Sequence, residues 1–169
     1  MRLVAATTIF AAGLLAACST GGCYDNQSAI PLAGFYSSQT KGAISVSGLK
    51  IYGIGAPHDS ALVRPSQTVG SVYLPMRSTH STTSWCLDIA TTDSTTVADT
   101  LTFAYESIPY FASEECGAMY YYRITRYSCT GNVIDSVVVK DSLITNADIE
   151  TIAIYFRTET ETGGEAEAK

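Results

Sequence analysis

The sequence predicts an all-β domain built as an antiparallel sandwich. Apolar and polar residues alternate with a period of two in one segment after another, the mark of half-buried strands. No segment carries a sustained apolar stripe at helical spacing. Short runs rich in Val, Ile, Thr and Tyr recur between Gly, Pro, Asn and Asp, residues that stop strands and open turns.

In chain order, Ile44 and Val46 alternate with Ser45 and Ser47, and Leu49 and Ile51 with Lys50 and Tyr52. Another strand is expected within residues 69–76. Trp85, Leu87 and Ile89 alternate with Ser84, Cys86 and Asp88, and further strands are expected at 99–105, 119–127, 133–140 and 149–157. In the 119–127 strand Tyr120, Tyr122 and Ile124 form the more apolar set, which places Tyr121, Arg123 and Tyr127 on the outer face. Thr130-Gly131-Asn132, between two strong strands, reads as a hairpin turn. Seven to nine strands at this spacing suit an immunoglobulin-like sandwich first and a small β-barrel second.

The chain ahead of these strands has a different composition. Arg2 supplies a positive start, residues 3–14 are uncharged and mostly apolar, and Leu15-Ala16-Ala17-Cys18 follows. The apolar run is too short to cross a bilayer as a helix. Its layout is that of a removable secretion signal over residues 1–17. The tetrapeptide resembles the bacterial lipobox: Leu at minus three, two small residues, then the modified cysteine. That resemblance implies a diacylglyceryl thioether on Cys18 and usually a third acyl chain on its amine, and two or more chains anchor stably where one is marginal. Residues 18–28 then form the lipid attachment and a short tether, and residues 29–157 the sandwich. Residues 158–169, rich in Glu and poor in apolar groups, form a disordered acidic tail.

Ten Lys and Arg stand against sixteen Asp and Glu, a net charge of -6, and the basic residues nowhere cluster. The chain therefore lacks the electrostatic footprint of nucleic-acid binding or of docking on anionic lipid. With Cys18 lipidated, Cys23, Cys86, Cys116 and Cys129 remain, an even number in a chain addressed to an oxidising compartment. Two disulfides are expected, and four cysteines allow three pairings. A metal site is not expected, because no pair has C-x-x-C spacing and His58 and His80 stand in unrelated loops.

Catalytic signatures are missing: there is no nucleophile elbow, no paired-histidine zinc motif and no phosphate-cradling glycine loop. The expectation is a non-catalytic chain without a cofactor. The alternative is a hydrolase or metal-dependent site around Glu114 and Glu115, completed by Asp88 and a histidine. Neighbours on an extended chain face opposite sides and chelate poorly, so a solvated turn before Cys116 is the simpler account. Eleven tyrosines are present, and Tyr120, Tyr121 and Tyr122 with Tyr105, Tyr110 and Tyr127 would make a platform for a sugar ring or peptide. Tyr121, Arg123 and Tyr127 are the ligand-contact candidates. Tyrosine is also a favoured strand residue, which explains the inward half of them without a ligand.

Five of the eight aspartates open a triplet of Asp, a hydroxyl residue and a small or apolar residue, with Ser60, Ser94, Thr100, Ser136 and Ser142 in the middle. The composition predicts about one by chance. The triplets resemble the O-glycosylation acceptor of exported Bacteroidetes proteins, in which the middle residue carries the glycan. Turn chemistry competes, since Asp and Ser hydrogen-bond their own backbone at loops.

The order of Ile51-Tyr52-Gly53-Ile54-Gly55, Val72-Tyr73-Leu74-Pro75, Phe111-Ala112-Ser113-Glu114-Glu115-Cys116-Gly117 and Ile134-Asp135-Ser136-Val137 resembles a family of Bacteroidetes lipoproteins of unknown function. The resemblance spans nearly the whole mature chain and implies a lipobox, a small β-domain and no assigned activity. Within it Cys23 and Cys116 look like family positions and Cys86 and Cys129 like additions, which implies the pairs Cys23–Cys116 and Cys86–Cys129. Ser19-Thr20-Gly21-Gly22 lacks the acidic residues that surface-exported lipoproteins of the phylum usually carry there, which points to the periplasmic side of the outer membrane. The functional expectation is an envelope lipoprotein held on its membrane through Cys18. It would bind or scaffold an envelope protein or glycan, with no nucleic-acid partner.

Overall fold

The computed structural model describes residues 29–57, 60–90, 95–114 and 117–158, and no α-helix occurs among them. Ten strands carry the fold: β1 (Leu32–Ser37), β2 (Leu49–Gly53), β3 (Ala61–Val63), β4 (Ser71–Tyr73), β5 (Thr82–Ala90), β6 (Thr96–Ser113), β7 (Gly117–Cys129), β8 (Ile134–Val139), β9 (Leu143–Ile144) and β10 (Glu150–Phe156). They form two sheets, one of four strands in the order β4-β1-β10-β8 and one of six in the order β3-β2-β5-β6-β7-β9. The expected sandwich is present, and its pairs are antiparallel except β1 with β10, which run parallel.

Alternation sets the core. Leu49 and Ile51 on β2, Trp85 and Leu87 on β5, and Leu101 and Phe103 on β6 turn inward from the larger sheet. Phe35 on β1, Ile134 on β8, and Ile152, Ile154 and Phe156 on β10 meet them from the smaller one. Each such side chain contributes about 1.5–3 kcal/mol of transfer free energy. Phe35 packs edge-on against Phe156 at 5.2 Å, and Trp85 against Phe103 at 5.7 Å.

β1, β3 and β9 lie outside the strands expected from the sequence, and the structure departs from the expected elements in three further places. Residues 44–47 make no ladder: Ala43 and Val46 form only isolated bridges, to Tyr36 and Val69. β6 runs eighteen residues, far past the expected end at Tyr105. Thr130-Gly131-Asn132 is not a hairpin turn, because β7 belongs to the six-stranded sheet and β8 to the four-stranded one. The segment is a crossing between sheets, pinned by the fully buried carboxylate of Asp99. Oδ1 accepts from the Thr130 hydroxyl and from the Asn132 N–H at 2.7 Å, and Oδ2 from the N–H groups of Val133 and Ile134 at 2.7 and 2.8 Å. Burial pushes this carboxyl upward, but these hydrogen bonds favour the charged form and hold it below the ordinary aspartate value.

The expected Cys86–Cys129 disulfide is not formed; both are free thiols. Cys86 on β5 stands opposite Thr100 and Cys129 on β7 opposite Leu101, adjacent β6 positions that point to opposite faces. β5 and β7 also lie on either side of β6, about 9.5 Å apart, beyond the roughly 7 Å between Cα atoms that a disulfide spans. Burial pushes both thiols above their usual range. Cys23 and Cys116, the other expected pair, lie outside the described residues, as do residues 159–169 of the expected tail.

Candidate binding arm

The length of β6 creates the most conspicuous feature of the surface. β5 accompanies β6 only as far as the pair Thr82 and Ala104, and β9 touches β7 only at Tyr122 and Arg123. Beyond Glu106, β6 pairs only with β7 among the described strands, so the two continue as a two-stranded arm. Counted from Glu106 to Ser113, its eight β6 residues make it about 26 Å long. Pro109 sits in this stretch, opposite Tyr120. A proline removes a ladder donor and is tolerated where its nitrogen faces an unpaired edge.

Each face of the arm has its own chemistry. Outward lie Glu106, Ile108 and Tyr110 of β6 with Tyr121 and Arg123 of β7; Glu106 stands across from Arg123. Tyr110 and Tyr121 stack at 4.6 Å with planes 15° apart, and the Tyr121 hydroxyl donates to Asn146 Oδ1 at 3.2 Å. Inward, Tyr105 meets Tyr122 edge-on at 5.3 Å. Burial pushes the Tyr122 phenol above its ordinary value. The Tyr105 hydroxyl accepts from the Arg77 N–H and donates to the Arg77 carbonyl, both at 3.0 Å, and lies 2.7 Å from the Thr83 hydroxyl. One phenol thereby fixes the loop between β4 and β5. Between that loop and the arm opens a hollow of about 550 Å³, with Ala29 and Ile30 on one side and Ala118, Met119 and Tyr120 on the other. Toward the end of the arm Tyr110, Phe111 and Tyr120 are 41%, 64% and 43% exposed.

Of the ligand-contact candidates, Tyr121 and Arg123 share one phase of β7, Arg123 exposed and Tyr121 half-buried against the core, and Tyr127 does not share it. The register steps from Tyr105–Ile124 to Ala104–Arg126, leaving Thr125 as an extra residue. This bulge returns Tyr127 to the inner phase. Its ring is 6.0 Å from Phe103, and it stays exposed because it sits at the sheet edge. The glycosylation candidates divide as well. Ser60, Ser136 and Ser142 are exposed, whereas Thr100 is half-buried in the middle of the larger sheet beside the wholly buried Asp99. Ser94, Cys18 and the pair Cys23 and Cys116 lie outside the described residues.

The carboxylate cluster does not assemble. Asp88 stands opposite Ala98 near the start of β6, and Glu114 follows its last residue, so the strand separates them. Glu115 and His58 lie outside the described residues, and His80 Nδ1 is 3.0 Å from Thr79 Oγ1 in the loop before β5. No three His, Cys, Asp or Glu among the described residues gather as metal ligands would.

A family of unknown function, DUF6452, matches residues 48–156. The chain belongs to DUF6452. The matched span of this DUF6452 chain runs from just before β2 to the end of β10 and includes the whole arm. It omits β1, although β1 lies between β4 and β10 in the smaller sheet. No curated protein and no solved structure matches the chain. The sequence missed Phe111 as a member of the arm, and Asp99 as the pin of the crossing. For Phe111 a signal existed, since aromatic and apolar residues continue from Tyr105 to Phe111 across Pro109.

Proposed function

We propose that this protein is a lipid-anchored envelope lipoprotein of the outer membrane, facing the periplasm, and that it acts as a non-catalytic binding or scaffolding module. The projecting arm carries this reading. Its outer face offers a rigid tyrosine pair beside Arg123 and Glu106, an aromatic surface with flanking hydrogen-bonding groups of the kind that holds a glycan or peptide. Tyr121 is fixed at both ends, by its stack on Tyr110 and by Asn146, so a ligand would meet it without further loss of side-chain freedom. The signal over residues 1–17 and the lipobox ending at Cys18 supply the anchor.

Two measurements on the full chain in cells test the proposal. Cys18→Ser should move the protein from the membrane pellet to the soluble fraction and remove the acyl mass from its N-terminal peptide. Tyr110→Ser combined with Arg123→Ser, both at exposed positions, should leave folding and membrane retention unchanged but lose the protein or glycan cross-links formed from neighbouring positions on the outer face. Cross-linking that persists unchanged in the double variant would move the binding surface off the arm.

A further inference from the structure

Two exposed rings share the inner phase at the end of the arm: Phe111 and, diagonally across on β7, Tyr120. The chain enters the fold beside the end of the same arm. Ala29 and Ile30, the first described residues, share a hollow with Ala118, Met119 and Tyr120. The eleven residues 18–28 separate Cys18 from that point. Fully extended they reach about 36–40 Å, which exceeds the roughly 26 Å of the arm itself. A bilayer holding Cys18 therefore lies within reach of the arm's end.

The chemistry of that end selects its partner. Between residues 105 and 122 there is no Lys or Arg, and Glu106, Glu114 and Glu115 are acidic, so nothing draws the arm to anionic headgroups. Tyr and Phe rings suit the boundary of a bilayer, where one side is apolar and the other wet. Two rings cover far less than the roughly 800 Å² per partner of a stable protein interface. A surface already held by an anchor needs less, because tethering makes the second contact intramolecular. We infer that the end of the arm is a lipid-contact element: Phe111, with Tyr120 diagonal to it on the same face, seats in the interface of an uncharged, zwitterionic bilayer. This inference rests on the lipid-anchor reading of Cys18. It leaves the outer face around Tyr121 and Arg123 free for a ligand and fixes the domain's orientation over the membrane.

Fluorescence of the protein extracted from membranes and reconstituted into phosphatidylcholine vesicles with brominated acyl chains tests it. The only native tryptophan, Trp85, is 1% exposed in the core, so the wild type gives the background. Phe111→Trp and, as a second reporter, Tyr120→Trp place an indole at the arm's end. Tyr73→Trp, on exposed β4 of the other sheet, is the control. The expected result is flotation of all variants with the vesicles, blue-shifted emission from the two arm reporters, and quenching by bromolipid at least twofold stronger than in Tyr73→Trp. Flotation with arm reporters quenched no more than the control overturns the lipid contact and leaves the anchor standing. A blue shift without bromolipid quenching also overturns it, since the rings are then covered by protein. If the wild type does not float, the anchor reading falls, and the inference falls with it.

Discussion

Asp99 gives both carboxylate oxygens to the crossing between β7 and β8. An asparagine there would turn one acceptor into a donor facing N–H groups. Asp99→Asn should cost about 2–4 kcal/mol, seen as a lower denaturant midpoint with an unchanged slope. The sign of the pH dependence follows from the depressed carboxyl. Its stabilisation is fully present above the unfolded value near pH 4 and is lost as pH falls through the lower folded value. Stability curves taken from pH 6 to pH 2 should therefore be flatter in Asp99→Asn over the acid limb. At Gly34 the constraint is space. A Cβ would come within 2.2 Å of Glu150 Oε2, in the carboxylate that accepts from the Tyr36 hydroxyl at 2.9 Å and pairs with Lys140. Gly34→Ala should displace that flexible carboxylate and lower stability by about 1–2 kcal/mol, read from the thermal midpoint. Neither role was legible in the sequence. Asp99 opens one of five similar triplets, and a triplet does not record whether its aspartate faces solvent or the core.

Among the elements, the arm and the β4–β5 loop are coupled through one phenol. Tyr105→Phe keeps the ring against Tyr122 and strands the Arg77 backbone groups, so it should cost about 1–2 kcal/mol. Amide exchange at Arg77 should accelerate while the β1–β10 ladder keeps its protection, an outcome that separates local loosening from global loss. Strand existence and facing were legible at Leu49–Ile51 and Trp85–Leu87–Ile89, whereas the same alternation at residues 44–47 yields only an isolated bridge. Legibility failed where one residue shifts the phase. Thr125 reverses the facing of Tyr127, and Pro109 suggested an end to β6 where the strand continues as half of the arm. Cys86 and Cys129 show the same limit in another form, because pairing needs the register across β6 and periodicity within one strand does not supply it.

For the molecule as a whole, the two-layer architecture follows from alternating strands with no helical segment, and the sequence predicts it. The strand order does not follow. Nothing local to β1 or β10 announces that they pair, or that they run in parallel, since those two segments are joined only through the whole intervening chain. The same non-local logic keeps Asp88 and Glu114 apart and brings Ala29 beside Tyr120. It also sets an order of events. The larger sheet can assemble from neighbouring strands as they appear, β5 with β6 and β6 with β7, but the smaller one joins the first strand to the last. While residues 150–156 are still being synthesised, β1 and β8 have no strand between them, and the inner face of the larger sheet stands uncovered. Completion of the smaller sheet thus waits on β10, while β1 can hold only β4. A chain emerging N-terminus first would leave the inner face of its larger sheet half bare until this one parallel pair can close.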